Sequence, residues 1–230
     1  MMVSDGLDIG DRMKGYERSA EFILPRRIPV IIRVDGRAFH TITRRRFGRA
    51  WSQEFVEQMC EAAATAMADI QGCSFCYSQS DEISFLLTDY QTIRTSPWFG
   101  YDMRKMISIS ASIVASVFSR LYGRLVSFDS RCFSLPQDEV CNYYIWRQLD
   151  ATRNAIQMAG REHFSHKQLH RKSCNEIQEL LFQEKGINFN DYPVVRKRGF
   201  CVTGEGPDTK IPIFTKDREY INRHVFVRED

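Results

Sequence analysis

The stretch YSQSDEISF, residues 77–85, reads as strand, turn and strand, and two adjacent carboxylates, Asp81 and Glu82, sit at its bend. Asp is an ordinary turn residue, so a solvated turn is one reading. The flanks point to another. CSFCY (73–77) and ISFLL (83–87) are rich in aromatic and apolar side chains and read as largely buried strands. The two acids then lie at the rim of a packed sheet, where a carboxylate is costly unless a cation pairs with it. Taken alone, the hairpin leaves both readings open.

Upstream, IPVIIRV (28–34) is the strongest strand pattern in the chain, a near-continuous aliphatic run suited to a central position, and it ends at Asp35 and Gly36. Residues 51–70, WSQEFVEQMCEAAATAMADI, carry apolar residues at three- and four-residue spacing, the mark of an amphipathic helix. Residues 12–24 and 102–121 also read as helices, the latter with the small residues of SISASIVAS for close packing on a sheet, and RLVSF (124–128) reads as a fourth strand. The order βαββαβ predicts an α+β protein with a ferredoxin-like sheet, in which the first and third strands are neighbours at the centre. Asp35 and Asp81 then converge at one edge. Beyond residue 135 the pattern turns helical (137–160, 173–185), with one further strand near FCVTG and irregular or β structure over 210–227. The expected organisation is a catalytic core, 1–135, with the C-terminal region 136–230 packed on it as one structural unit.

Composition limits the class. At 230 residues, 43% hydrophobic and 27% charged, the chain is globular and not disordered. It has no apolar run of membrane-spanning length and no secretory h-region, so a cytoplasmic protein without membrane attachment is expected. Seven cysteines, an odd number without framework spacing, read as reduced thiols. Cys73 and Cys76 lie in a strand with no second pair, and His163, His166, His170 and Cys174 read as the surface of a basic helix in preference to a zinc site. A net charge of +3 is small, but it is clustered at Arg44, Arg45, Arg46 and Arg49, again over 166–172, and again at Arg196, Lys197 and Arg198. Such clusters favour phosphate or nucleic-acid partners.

Two carboxylates from neighbouring strands suit a pair of Mg²⁺ ions, which take hard oxygen ligands, retain waters and leave positions for substrate phosphates. Two metals ~4 Å apart stabilise the attacking and leaving oxygens of an in-line phosphoryl displacement. Gly36 allows close backbone approach. The segment Arg37, Ala38, Phe39 and His40 would offer backbone N–H groups to a triphosphate, and Lys105 a point charge.

With Asp35-Gly36-Arg37, Ser80-Asp81-Glu82, the Lys105 helix, Phe128-Asp129-Ser130-Arg131 and Trp146-Arg147-Gln148 assembled in order, the sequence resembles the histidine-tRNA guanylyltransferase family. It is most similar to the guanylyltransferase-like branch of 3′-to-5′ polymerases. The resemblance runs from about residue 12 to about residue 205. It implies a polymerase-palm-type domain that extends the 5′ end of tRNA, with two Mg²⁺ held by Asp35, the Gly36 carbonyl, Asp81 and Glu82. It further implies nucleotide binding by Arg37 to His40, Ser80 and Lys105, and tRNA or activation roles for Arg49, Arg147, Arg153 and Asn154. ATP would activate a 5′-monophosphate, the 3′-hydroxyl of GTP or another NTP would attack it, and the assembly would be a homotetramer. Two departures shape the reading. The His-Ile-Asn-Asn-Leu-Tyr-Asn run of the eukaryotic branch is here Ala151-Thr152-Arg153-Asn154-Ala155 after Asp150, matched only at Asn154, which favours templated repair of 5′-truncated tRNA over addition of the extra G to histidine tRNA. Arg49 stands where a Lys is usual, and the two are not equivalent phosphate ligands. Nucleotide cyclases and lesion-bypass polymerases share the acid arrangement. The cyclase lacks support because no Gly-Gly precedes the acids, and 230 residues leave no room for fingers and thumb. A non-catalytic RNA-binding module would use the basic clusters and leave the acids without a task.

Overall fold

A computed structural model of the chain describes residues 6, 8–39, 41–42 and 52–226. Its first helix, α1 (Ile9–Arg18), is capped by Asp8 and buries none of its side chains. Strand β1 (Val30–Gly36) follows, then α2 (Gln53–Asp69), the hairpin β2 (Cys73–Gln79) and β3 (Glu82–Leu87), α3 (Met103–Tyr122) and β4 (Phe128–Ser134). The long helix α4 (Gln137–His163), α5 (Cys174–Lys185), α6 (Val194–Arg198) and the short strands β5 (Phe200–Thr203) and β6 (Gly206–Asp208) complete the main elements.

The strands form one antiparallel sheet in the order β4-β1-β3-β2-β5-β6, with β1 and β3 side by side near its middle. Period-two alternation explains the all-aliphatic β1, because it is covered on both faces. Val30, Ile32 and Val34 pack with Met59 of α2 and Phe118 of α3, where Ala62, Ala63 and Ala66 let the helix lie close. Ile31 packs with Phe75, Tyr77 and Leu86 on the opposite face, under Tyr144 of α4 and the C-terminal residues Phe214 and Ile221. A third, smaller core joins the end of α4 to α5 through Ile156, Phe164, Ile177 and Leu181.

The fourth strand is not where its apolar letters suggest. RLVSF was expected to be the strand, yet only Phe128 of it belongs to β4, which runs on through Asp129-Ser130-Arg131. As an edge strand with one face partly open, β4 carries polar residues at alternate positions, and that weakens its hydrophobic signal. The segment after α4 also departs from a basic helix. The helix stops at Phe164, one short turn spans His166–Leu169, and α5 starts afresh at Cys174. Residues 211–226 follow the irregular alternative, holding turns and one short helix, Glu219–Asn222.

Candidate active site

The hairpin closes through Ser80 and Asp81, with Gln79 paired to Glu82. Ser80 takes φ 51°, the sign that two-residue hairpin turns require at their first position. The Asp81 carbonyl accepts the Gly36 N–H at 3.1 Å, which fastens the hairpin tip to the end of β1. Register does the rest. Asp35 stands directly opposite Glu82 on β3 and opposite Asp129 on β4, so three carboxylates cross the sheet in one row on the face beneath α4. The next row inward on that face is Arg131, Arg33 and Ser84. Acids at the rim therefore lean on guanidinium groups one step deeper.

Glu82 is buried, and both its oxygens accept from Arg147 of α4, Nε to Oε1 at 2.7 Å and Nη2 to Oε2 at 2.8 Å. Arg147 also meets Asp150 at 3.2 Å and lies 4.5 Å from the centre of the Trp146 ring. Asp129 is more open and pairs with Arg131 at 3.0 Å. Burial raises the pKa of Asp35, Asp129 raises it further, and Arg131, Arg33 and Arg147 pull it back. Asp81 is pushed up to about 6, first by burial and then by the charges of Asp35 and Glu82, against hydrogen bonds that include one from Ser80. Two acids held close and short of compensating hydrogen bonds are a site prepared for a cation. Among the described residues no three Asp, Glu, His or Cys side chains meet at one point. Mg²⁺ needs fewer, since it binds through one or two carboxylates plus waters and phosphate oxygens, and the Asp35–Asp81 pair fits it.

The sign of the pH response follows. Asp81 has an ordinary value of 3.8 and a folded value of about 6, so between them the folded chain holds a proton that the unfolded chain has released. That contribution to stability is complete below the lower value and lost as pH rises through the higher one. Metal-free protein is expected to melt at lower temperature at pH 7 than at pH 5, with Asp81→Asn flattening the slope and Mg²⁺ stabilising mainly above pH 6. Parallel melting curves for the wild type and Asp81→Asn across that range would remove Asp81 from this account.

A cleft of about 410 Å³ opens at the acids. Asp35, Ser80, Asp81, Glu82, Arg147 and Asn154 all line it. Its wall extends along α4 through Met158 to Arg161 and is closed by Phe55 and Met59 of α2 with Val195, Arg196 and Phe200. Arg161 was not singled out from sequence, although Arg147, Asn154 and Arg161 recur at intervals of seven along one helix face, a readable signal. Asp129 and Asp150 were likewise missed as partners, because their importance depends on strand register and on where α4 crosses the sheet.

Other expected residues lie elsewhere. Arg153 is exposed and does not line the cleft, although its partner Asp150 does. The Arg37 N–H already donates to the Ser127 carbonyl at 2.9 Å, so this amide is taken, and Ala38 bends with φ 58°. Phe39 is buried against Phe55, Phe118 and Phe128, a core residue whose ring is not open to a nucleotide. Lys105 is exposed in the first turn of α3, five residues before Ser110, whose hydroxyl lies 2.8 Å from that of Ser130, the neighbour of Asp129 on β4. Lys105 is not among the residues that line the cleft. His40 and Arg49, with the Arg44–Arg46 cluster, lie outside the described residues.

Gly36 has a packing reason of its own. A Cβ there would fall 2.4 Å from the Phe39 ring. Gly36→Ala is expected to cost about 1–3 kcal/mol through displacement of that ring. Thermal unfolding checks this, and an unchanged midpoint would show that Phe39 moves aside freely.

The family model described as tRNAHis guanylyltransferase matches residues 10–136. The tRNA(His) guanylyltransferase of Saccharomyces cerevisiae is 27% identical over 219 residues, covering 84% of this chain and 90% of the yeast protein. Among solved structures, a bacterial tRNA(His) guanylyltransferase-like protein in complex with ATP superposes with a TM-score of 0.93 at 42% identity, covering 96% of this chain and all of the other. A bacterial protein of the same description in complex with GTP gives 0.86 at 38% identity, over 95% and 99% of the two chains.

Proposed function

Because the chain belongs to the tRNAHis guanylyltransferase family of nucleotidyltransferases, we propose that it is a template-dependent 3′-to-5′ nucleotidyltransferase that adds nucleotides to the 5′ end of tRNA. The observation that carries the reading is the meeting of Asp35 and Asp81 at the mouth of a cleft whose far wall supplies Arg147, Asn154 and Arg161. Acids alone repel phosphates, and cations alone supply binding without chemistry. Together they suit a nucleotide and a 5′-phosphorylated RNA end.

In this proposal Asp35, Asp81 and the Gly36 carbonyl hold two Mg²⁺. Glu82 keeps a lone pair on each oxygen, and the Arg147 fork fixes its orientation. When bound, Mg²⁺ would neutralise the developing charge of a phosphoryl transfer. Ser80, at the hairpin tip, borders the phosphates. A 5′-monophosphorylated end would first take AMP from ATP with release of pyrophosphate. The 3′-hydroxyl of the incoming NTP would then attack the 5′ phosphorus, and AMP would leave. Similarity to chains solved with ATP and with GTP supports both nucleotide roles. Lys105 does not line the cleft, and its proposed contact with the triphosphate rests on the resemblance. Free cysteines throughout the described residues suit a reducing compartment, and none of the described helices is long and apolar enough to cross a membrane.

Repair is favoured over addition of the extra G because Thr152 and Arg153 occupy the run where the eukaryotic branch carries its His. Thr152 hydrogen-bonds back to the Gln148 carbonyl at 3.0 Å, and Arg153 is held by Asp150. The test is nucleotide addition to a 5′-truncated tRNA, offering each NTP singly, varying the opposing base, and comparing 5′-mono- and triphosphate ends. Incorporation is expected to follow Watson–Crick pairing. G addition regardless of the opposing base would establish the histidine-tRNA role instead, and RNA binding without addition would leave a binding module.

A further inference from the structure

The segment HFSHKQLHRKS, residues 163–173, has no part in the cleft, yet it is built as a fixed platform. Ser165 and Gln168 form one capping box and Ser173 and Glu176 another, clamping the loop at both ends. Its centre is held by Leu169, which packs at Gly160 on α4. A Cβ at Gly160 would sit 3.3 Å from Leu169 and 2.8 Å from Ile177, so the missing side chain is the notch that receives the loop. Arg171 takes φ 61°, an uncommon conformation for a residue with a side chain.

What the platform displays is charge of one sign. His166, Lys167, His170, Arg171 and Lys172 are all partly or fully exposed, and none forms a side-chain hydrogen bond or salt bridge with a described residue. The carboxylates around it are engaged elsewhere. Glu162 takes both oxygens to Arg196 at 2.7 Å, Glu176 caps Ser173, and Asp150 holds Arg147 and Arg153. The platform is continuous with the cleft, since Arg161 lines the cleft and adjoins Gly160. Along α4, Gly160 is about 20 Å from Arg147, less than one turn of a nucleic-acid duplex, ~34 Å in B form.

We propose that this platform is a phosphate-binding track for the duplex RNA stem whose 5′ end enters the cleft. It rests on the tRNA-directed reading above and adds the surface that holds the stem. Contacts of this kind read shape and phosphate, not sequence, which suits an enzyme that must accept stems of differing sequence.

The test compares wild type with the variant Lys167→Gln, Arg171→Gln, Lys172→Gln, measuring the Kd of a truncated tRNA transcript over a range of salt alongside steady-state addition. The expected result is binding weakened about tenfold or more at low salt, with the log–log salt slope shallower by roughly 2, because each lost phosphate contact removes about 0.7–0.9. KM for the RNA should rise while kcat at saturating RNA and KM for the NTP stay unchanged. The charge-keeping variant Lys167→Arg, Arg171→Lys, Lys172→Arg should bind as wild type, as should Arg12→Gln, Lys14→Gln, Arg18→Gln on α1. Unchanged Kd and slope in the glutamine variant would overturn the proposal, as would equal weakness in the charge-keeping one. So would an intact RNA affinity coupled to lost binding of an acidic polypeptide. The underlying reading fails separately: no addition by wild type, with RNA affinity still following these charges, rejects the enzyme assignment and keeps the surface.

Discussion

Asp81→Ala is expected to lower nucleotide addition by roughly 10³-fold or more, because losing the several kcal/mol that a bound metal supplies to phosphoryl transfer costs a factor of ten for each ~1.4 kcal/mol. Affinity for tRNA should stay within about twofold, since basic surfaces and not the acids supply that term. The contrast can be read cleanly because Asp81 lies at a turn. Its carbonyl anchors Gly36, and that bond is backbone to backbone, so removing the side chain spares the link between the hairpin and β1. Removal also relieves the burial and repulsion that push the Asp81 pKa up to about 6. The variant should therefore melt no lower than metal-free wild type at pH 7. Substantial turnover with Mg²⁺ in Asp81→Ala would sink the two-metal assignment.

Arg147→Ala should produce the opposite pattern, with folding and activity falling together. Arg147 and Glu82 have side chains only 7% and 9% exposed, and the pair is bidentate. Truncating the arginine strips a buried carboxylate beside Asp35 of its hydrogen-bonded partner and leaves only the deeper Arg33 to offset its charge, and breaking such a pair costs about 3–5 kcal/mol, a large share of a typical total of roughly 5–15 kcal/mol. Replacing both partners with apolar residues of similar volume should recover much of that loss, since paired removal strands no charge. Denaturant unfolding of Arg147→Met, Glu82→Leu and the double variant Glu82→Leu, Arg147→Met closes the cycle. Activity should not return in the double variant, because Glu82 is then missing from the acid row. Additive losses, with no recovery, would show that the pair is not the coupled unit described here.

The elements whose periodicity is strong were legible in the sequence. The apolar runs of β1 and the hairpin flanks have strand length and end at turn residues, and the Ala-rich α2 carries apolar residues at helical spacing. Together they predicted the β1–β3 adjacency that brings Asp35 to Asp81. β4 was misplaced because an edge strand with charged residues at alternate positions carries half a signal. Lys105 lies on α3 as the pattern puts it but is absent from the cleft lining, because which part of a 20-residue helix borders the acids depends on how the helix crosses the sheet, and periodicity does not fix that. The Arg147–Glu82 pair was invisible because it depends on how α4 crosses β3, far away in sequence. The arginine and the glutamate were each noted, but for ligand roles, and their claim on one another emerged only in three dimensions.

The register that sets Asp35 opposite Glu82 and Asp129 also sets Val34 opposite Ile83 in the core. A slip of one residue would turn the acid row inward and the aliphatic row out, so the chain has no half-active misregistered form. Catalytic competence is then a count of correctly folded molecules: a preparation destabilised by temperature or mild denaturant should lose active sites one whole molecule at a time, and the rate per remaining folded molecule should not change.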